Sequence, residues 1–434
     1  VTQASSSNAP RLRETLPVWA RIGVLSFGGP AAQIALMHRE IVEERGWLTE
    51  RQFLNATGFC MLLPGPEAMQ IATYAGWRLH GTRGGLAAGT LFILPGAAVI
   101  MALAAAYVAF GTLPWVQALF LGVQAAVIAI VLQALAALMG RALKGPAHWA
   151  LAAFGFVALY AFALPFPLVI AVAAAFGALM APQSGPAAPA PPVSPGLLRT
   201  ISIWLALWAA PLLALWLTAP EGLLLQIGLF FSKLAVVTFG GAYAVLAYMA
   251  QEVVSDYGWL TAGQMMDGLG LAETTPGPLI LVTQFVGYLS GYGAGAAAGG
   301  GGAGTAMAIA AACLTLWVTF VPCFLWIFAA APYVEWLTAQ PRLSGALQGI
   351  TAAVVGVIAN LSLWFALHVL FGVVTRQSIG PLHLWLPELA SLDPGALALA
   401  GLSIVALFRL NWPLTRVLGI AATLALGLHL IGVQ

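Results

Sequence analysis

Residues 24–66 read VLSFGGPAAQIALMHREIVEERGWLTERQFLNATGFCMLLPGP, and residues 236–278 read VVTFGGAYAVLAYMAQEVVSDYGWLTAGQMMDGLGLAETTPGP. At a constant offset of 212, 18 of these 43 positions are identical without a gap. The matches fall in words: Phe27-Gly28-Gly29 with Phe239-Gly240-Gly241, Gly46-Trp47-Leu48-Thr49 with Gly258-Trp259-Leu260-Thr261, and Pro64-Gly65-Pro66 with Pro276-Gly277-Pro278. Shared hydrophobicity alone would not align rare Trp and paired Pro. Further on, Tyr74-Ala75-Gly76-Trp77 matches Phe285-Val286-Gly287-Tyr288 at an offset of 211. Beyond a Gly-rich insertion at Gly291–Gly304, Gly122 onward matches Gly349 onward at 227. A duplication over most of a chain decides its architecture before any single helix is assigned.

The solvent of this duplicated fold follows from its composition. Of 434 residues only 7% are charged and 61% are hydrophobic, with a mean hydropathy of +0.95. Soluble domains carry roughly a quarter charged residues, so lipid covers this surface and most soluble enzyme classes are excluded. The net charge of +2 is small and the bases are scattered through short loops, which excludes a nucleic-acid partner. Cys60, Cys313 and Cys323 have no CxxC spacing and supply neither a disulfide framework nor a metal knuckle. No metal, no cofactor and no enzyme activity are expected. The first sixteen residues are polar and the first apolar run is long, so no cleavable signal peptide is expected.

A helix crosses the bilayer core with roughly 20 apolar residues. Thirteen apolar runs qualify: about 16–38, 53–79, 85–110, 114–139, 147–163, 165–181, 199–219, 223–250, 264–290, 304–331, 343–371, 394–409 and 412–431. The expected fold is therefore an all-α polytopic membrane protein with about 13 spans, in a range of 10–14. Ala181–Pro195 is a Pro, Ala, Ser and Gly tract that reads as an extended linker. It divides the chain into a first repeat (1–181), a connecting segment with one extra helix (182–222) and a second repeat (223–434). With thirteen crossings and a cytoplasmic N-terminus, eleven Lys and Arg fall on the cytoplasmic side and four opposite, as the positive-inside rule favours. Six crossings plus one extra helix start the second repeat from the other face, so the repeats are expected to be inverted, an arrangement associated with secondary transporters.

Each half breaks its first two runs with the same devices. A flexible Gly pair precedes Pro30, a residue suited to restart a helix, and Pro66 follows Gly65 with Glu67 in the new first turn. Broken helices in hydrocarbon leave unpaired backbone groups unless they line a polar cavity, and half-helix N-termini present donors to an anion. Packing kinks are the alternative for any single break; recurrence at one offset favours a midplane substrate site at all four. Lys233 lies in an otherwise uncharged run, and its mate Arg21 lies seven residues before the first Gly of its own break. Two pseudosymmetric cations facing a polyatomic anion are expected, with interfacial snorkelling as the alternative for each. Ser26 and Thr238 precede the Gly pairs and can add hydroxyl donors. Among the acids, Glu67 and Glu273 are candidates for proton coupling, with a salt bridge or helix cap as the competing role. The repeats differ chemically: Gln33, His38, Arg39, Glu67 and Gln70 stand opposite Val245, Ala250, Gln251, Leu279 and Val282, and Asp267 and Glu273 stand opposite Asn55 and Met61.

The run FGGPAAQIALMHREIVEERGWLTERQFLNATGFCMLLPGPEAMQIATYAGWRLHGTRGGLAAGTLFILPG (27–96) resembles the first half of the long-chain, two-half chromate ion transporters. TFGGAYAVLAYMAQEVV, then GWLT and GLGLAETTPGPLILVTQFVG, resemble their second half. The resemblance covers nearly the whole chain except the linker and the Gly-rich insertion. It implies secondary active export of chromate across the bacterial inner membrane by alternating access, conferring chromate resistance, with sulfate as an analogue or competitor. A proton is the candidate coupling ion and a homodimer the candidate assembly. Chromate and sulfate are tetrahedral dianions of similar size, and backbone N–H nests, hydroxyls and one or two cations can replace their hydration. The residues do not separate chromium from sulfur, so a sulfate or other oxyanion carrier, or an anion channel, stays open. An intramembrane chromate reductase finds no haem, flavin or iron–sulfur ligation pattern here, and a cation or amino-acid exporter would not need Lys233.

Overall fold

The computed structural model describes residues 10–181, 191–192, 194–239 and 242–432. Gly240 and Gly241, and residues 182–190 and 193 of the linker, lie outside the described residues. The chain is almost wholly helical. Its first half holds α1 (Leu12–Leu25), α2 (Gly29–His38), α3 (Glu50–Cys60), α4 (Glu67–Phe110), α5 (Pro114–Ala142), α6 (Pro146–Tyr160) and α7 (Phe166–Met180). The extra helix is α8 (Leu197–Thr218). The second half continues with α9 (Leu223–Val237), α10 (Ala242–Gln251), α11 (Ala262–Glu273), α12 (Val282–Gly299), α13 (Gly301–Ala330) and the short α14 (Val334–Thr338). It closes with α15 (Pro341–Leu370), α16 (Pro394–Phe408) and α17 (Leu414–Leu430). Among the described residues five helices are long and apolar enough to cross a membrane, with mean hydropathies of 1.8–2.3, so this is a multi-pass membrane protein.

The repeated words fold the same way twice. Thr49 Oγ1 accepts from the Gln52 N–H and Gln52 Oε1 accepts from the Thr49 N–H, at 3.3 and 3.0 Å; Thr261 and Gln264 repeat both bonds at 3.2 and 2.9 Å. This reciprocal cap starts α3 and α11 at matching positions. A π-helical turn precedes each, at Arg39–Glu43 and Glu252–Asp256. The last helix pairs correspond too: Ala163 and Asn411 hold positive φ (48° and 51°) in the α6–α7 and α16–α17 turns, each two residues before a proline.

Small residues set the helix spacing. α4 is one element only by name, because His80 and Gly81 leave helical geometry and reverse the chain. A Cβ on Gly76 would strike the Gly84 carbonyl, and one on Gly84 would strike that of Gly76, so the two arms meet backbone to backbone. α12 and α13 form the equivalent hairpin, joined at Gly300 (φ 80°), and Gly287, Gly291 and Gly295 pack on its second arm. The Gly-rich insertion therefore lengthens a helical hairpin.

The chain forms two compact units, and each draws on both halves. One comprises 1–102, 185–238 and 275–340; the other 103–184, 239–274 and 341–434. In the second unit the halves exchange partners: α6 and α7 pack on α15, while α16 and α17 pack on α5. Matched glycines permit both contacts, Gly122 against the Ala421 carbonyl and Gly349 against that of Ala173. Ala126, Ala129, Ile130, Leu407, Leu418 and Ala421 form part of the buried cluster between α5 and its partners. Between the apolar runs 343–371 and 394–409, β1 (Val374–Ile379) and β2 (Leu382–Pro387) form an antiparallel hairpin. Its two-residue turn uses Gly380 at φ 60°, and the His383 N–H bonds the Ala161 carbonyl at 2.7 Å, fastening the hairpin to the α6–α7 turn.

Candidate functional site

The first unit contains the breaks of α1–α2 and α3–α4, the end of α9 and the start of α12. α1 stops at Leu25, and Gly28 and Gly29 follow at φ 85° and 77°, a left-handed pair that only glycine adopts cheaply. α2 then restarts with Pro30 in its first turn. α9 stops at Val237, and Thr238 (φ −76°, ψ 87°) repeats the conformation of Ser26 (φ −77°, ψ 66°). Gly65 and Gly277, each between two prolines, also hold positive φ (121° and 91°).

These breaks are tied crosswise. The Gly65 N–H donates to the Thr238 carbonyl at 2.9 Å, and the Gly277 N–H donates to the Ser26 carbonyl at 2.8 Å. The glycine of each Pro-Gly-Pro thus binds the residue that ends a helix in the opposite repeat. Contacts behind the glycines correspond as well: Gly65 lies against Cys323 of α13, and Gly277 lies against Gly96 of α4. A side chain at Gly96 would overlap the Pro276 carbonyl.

Two buried amides complete the first repeat's share. Gln33 Nε2 donates to the carbonyls of Gly277 (2.6 Å) and Ser26 (3.3 Å), and Gln70 Nε2 donates to that of Pro64 (2.7 Å). Both Oε1 atoms are buried without a hydrogen-bond partner among the described residues. The hydroxyls of Ser26 and Thr238 point back into their own helices, each donating at 2.6 Å to the carbonyl four residues earlier, Ile22 and Leu234. What these two residues offer the crossing is their carbonyls. The first N–H groups of α2 and α4 have no acceptor within the helix.

Arg21 and Lys233 occupy matching, exposed positions on α1 and α9. The Arg21 Nε lies 3.5 Å from Glu40 Oε1, and Arg45 Nη1 lies 2.7 Å from Glu40 Oε2. Glu40 is fully buried within the π-helical turn, so the first base is partly neutralised by a carboxylate that sequence reasoning passed over. The available signal was the match of Glu40 to Glu252 at offset 212.

A family model described as "Chromate transporter" matches residues 14–178 and 225–428, both halves and almost all of the helical chain. The chain belongs to the chromate transporter family. It is 31% identical over 382 residues to the "Probable chromate transport protein" of Synechococcus elongatus, covering 88% of this chain and 89% of the relative. It is 31% identical over 369 residues to the "Chromate transport protein" of Cupriavidus metallidurans, covering 80% and 81% of the two chains. Identity to the protein of that name from Pseudomonas aeruginosa is 33% over 353 residues, covering 78% and 77%. No solved structure matches the chain.

In this chromate transporter family member the remaining acids divide between the units. Glu67 is half-buried in the first turn of α4, in the first unit. Glu273 ends α11 in the second unit, buried, and accepts from the Tyr243 hydroxyl at 2.6 Å. Asp267, one and a half turns earlier, is buried between the Tyr107 hydroxyl and Gln124 Nε2, both at 2.8 Å. Tyr107, Gln124 and Tyr243 were missed from sequence. Each is a polar group within or beside an apolar run, but outside the repeated words.

Proposed function

We propose that this protein is a secondary active transporter that exports chromate across the bacterial inner membrane, with sulfate as an analogue. The name of its relatives gives the substrate class. The observation that carries the mechanism is the reciprocal pair of bonds from Gly65 to Thr238 and from Gly277 to Ser26, which gathers interrupted helices of both repeats at one place in the first unit. In this reading 1–181 and 223–434 are inverted repeats joined through 182–222, with about 13 crossings and a cytoplasmic N-terminus. Their interrupted helices form the midplane site from which alternating access proceeds.

A tetrahedral dianion is held here by the opening N–H groups of α2 and α4, with Arg21 and Lys233 supplying positive potential. Crossed bonds keep the glycine N–H groups occupied between substrate visits, which is how a break survives in hydrocarbon. Glu67 stands in the same first turn that faces the anion, so its protonation changes the charge those N–H groups experience and links proton to substrate occupancy. Glu273, buried beside Tyr243, is the second candidate for proton carriage.

The test is purified protein in sealed liposomes, with chromate flux followed under imposed proton and anion gradients. Uphill chromate movement that collapses with the gradient is expected. Flux that only follows chromate's own gradient would replace the carrier with a channel. Stronger competition by sulfate than by chromate itself would reassign the substrate to sulfate.

A further inference from the structure

α8 is the helix that the duplication does not explain, and its surroundings are unlike those of the other long helices. Only 6% of its most apolar window is buried, against 33–72% for the other four. Between α8, the second arm of α4 and α13 lies a groove of about 740 Å³ within the first unit. Its ends differ in chemistry. Trp204 stacks on Phe324 (5.5 Å) and packs on Phe328 (5.3 Å), while Trp317 Nε1 donates to the Leu207 carbonyl at 2.8 Å, so α8 and α13 run antiparallel. Gly85 and Gly89 meet Phe328 and Phe324, which places Thr82 beside the start of α8. Arg199, Thr200 and Thr82 therefore share one end, and Leu207, Trp317 and Val321 the other, about 12 Å away along α8.

Polar groups along this groove lack partners among the described residues. Arg199 is exposed and makes no hydrogen bond or ion pair among the described residues, and the hydroxyls of Thr82, Thr90 and Thr200 make no hydrogen bond among them either. Elsewhere helical threonines such as Thr73, Thr315, Thr351 and Thr423 donate to the carbonyl four residues back. A second, apolar groove of about 570 Å³ between α1 and α4 shares Leu86 and Thr90 with the first. Two apolar beds thus adjoin across one face of α4, with Arg199, a base that has no partner among the described residues, at the end of one.

We propose that these grooves hold an anionic glycerophospholipid: its phosphate on Arg199, its ester region along Thr82, Thr90 and Thr200, and one acyl chain in each bed. A two-chain lipid matches the paired apolar channels, and a negative headgroup matches the Arg199 guanidinium, which has no partner among the described residues. The bound lipid wedges α8 against the hairpin of α4 and the face of α13.

Native mass spectrometry and thermal unfolding of the delipidated full chain test this, with phosphatidylglycerol, phosphatidylcholine and inorganic phosphate as separate probes. Phosphatidylglycerol is expected to be retained and to raise the unfolding temperature, while phosphatidylcholine and phosphate do neither. Arg199→Ala should weaken retention about fivefold, the factor one base contributes at an anionic surface; Arg199→Lys should restore most of it, and Arg416→Ala should change nothing. Ile203→Trp, which fills the groove without touching charge, should displace the lipid and covers the case in which Arg199→Ala fails to fold. Equal retention of phosphatidylcholine, a response to free phosphate alone, or indifference to both Arg199→Ala and Ile203→Trp would overturn the proposal. So would lipid binding that appears only after deletion of 182–190, or a dimer broken by Ile203→Trp with no lipid bound, since these assign the groove to the chain's own segment or to a second copy.

Discussion

Gly65 donates its backbone N–H to the carbonyl of Thr238 at 2.9 Å, although 173 positions separate them in the chain, and Gly277 returns the same bond to Ser26 at 2.8 Å. Both glycines hold positive φ, where an alanine costs about 1–2 kcal/mol. A Cβ at Gly65 would also press on Cys323 Sγ and Gln70 Nε2. Gly65→Ala and Gly277→Ala are expected to lower the unfolding temperature modestly and to abolish chromate flux in liposomes. Gly140→Ala, at a position with open space and ordinary helical φ, is the control and should leave flux intact. Normal flux in either crossing variant would show that the crossed bonds are dispensable.

The hydroxyls beside the crossing lead to the opposite expectation. Ser26 and Thr238 spend their protons on Ile22 and Leu234 within their own helices, at 2.6 Å each. Ser26→Ala and Thr238→Val keep the carbonyls that the glycines use, and such helical back-bonds contribute little to stability. Chromate affinity measured by equilibrium binding should stay within about threefold, under 1 kcal/mol. A loss of tenfold or more in both variants would mean that the hydroxyls turn to the anion when it binds.

Glu40 is the most deeply buried charge of the first unit, fully enclosed and reached by Arg45 and Arg21. Removing one partner of such a pair leaves an uncompensated charge and costs about 3–5 kcal/mol. Arg45→Ala should therefore unfold at a clearly lower temperature than wild type. Glu40→Gln/Arg45→Met, which removes both charges while keeping their volume, should recover much of the loss. If the double variant is no more stable than Arg45→Ala, the ion pair does not account for the burial of Glu40.

These residues show which parts of the molecule the amino-acid order discloses. Gly-Gly and Pro-Gly-Pro break helices through local backbone chemistry, so the interruptions at Gly28 and Gly65 can be read from a few neighbours. Thr49 and Gln52 likewise cap α3 within four residues. The partner of each break is another matter: nothing near Gly65 specifies Thr238, and only the pseudosymmetry of the fold brings them together. Gly122 and Gly349 announce a close approach of backbones but leave the partners, Ala421 and Ala173, to the exchange between halves. Glu40 escaped notice because a carboxylate among the charged residues 39–45 looks solvated, and its burial depends on a π-helical turn that turns it inward. The hairpin at 374–387 was hidden for a different reason, since its strands are only six residues each and bury none of their side chains fully.

The buried acids of the second unit differ in the donors that hold them. Among the described residues Asp267 accepts from two donors, Tyr107 and Gln124, whereas Glu273 accepts from Tyr243 alone. Two fixed donors hold this carboxyl group in one place, and each such hydrogen bond contributes about 0.5–1.5 kcal/mol. Asp267→Asn puts an amide N–H against the Gln124 N–H or the Tyr107 hydroxyl, so lowered thermal stability with all modes of transport reduced together is expected. Glu273 keeps its second carboxylate oxygen without a donor among the described residues, which makes it the proposed proton carrier of the two. Glu273→Gln retains the acceptor for Tyr243 but cannot titrate. It should abolish chromate flux driven by a pH gradient while preserving exchange of labelled for unlabelled chromate, which needs no net proton movement. Tyr243→Phe should retain driven flux, with its pH dependence displaced. If Glu273→Gln still couples to the gradient, proton carriage passes to Glu67, and the same two assays on Glu67→Gln decide that assignment.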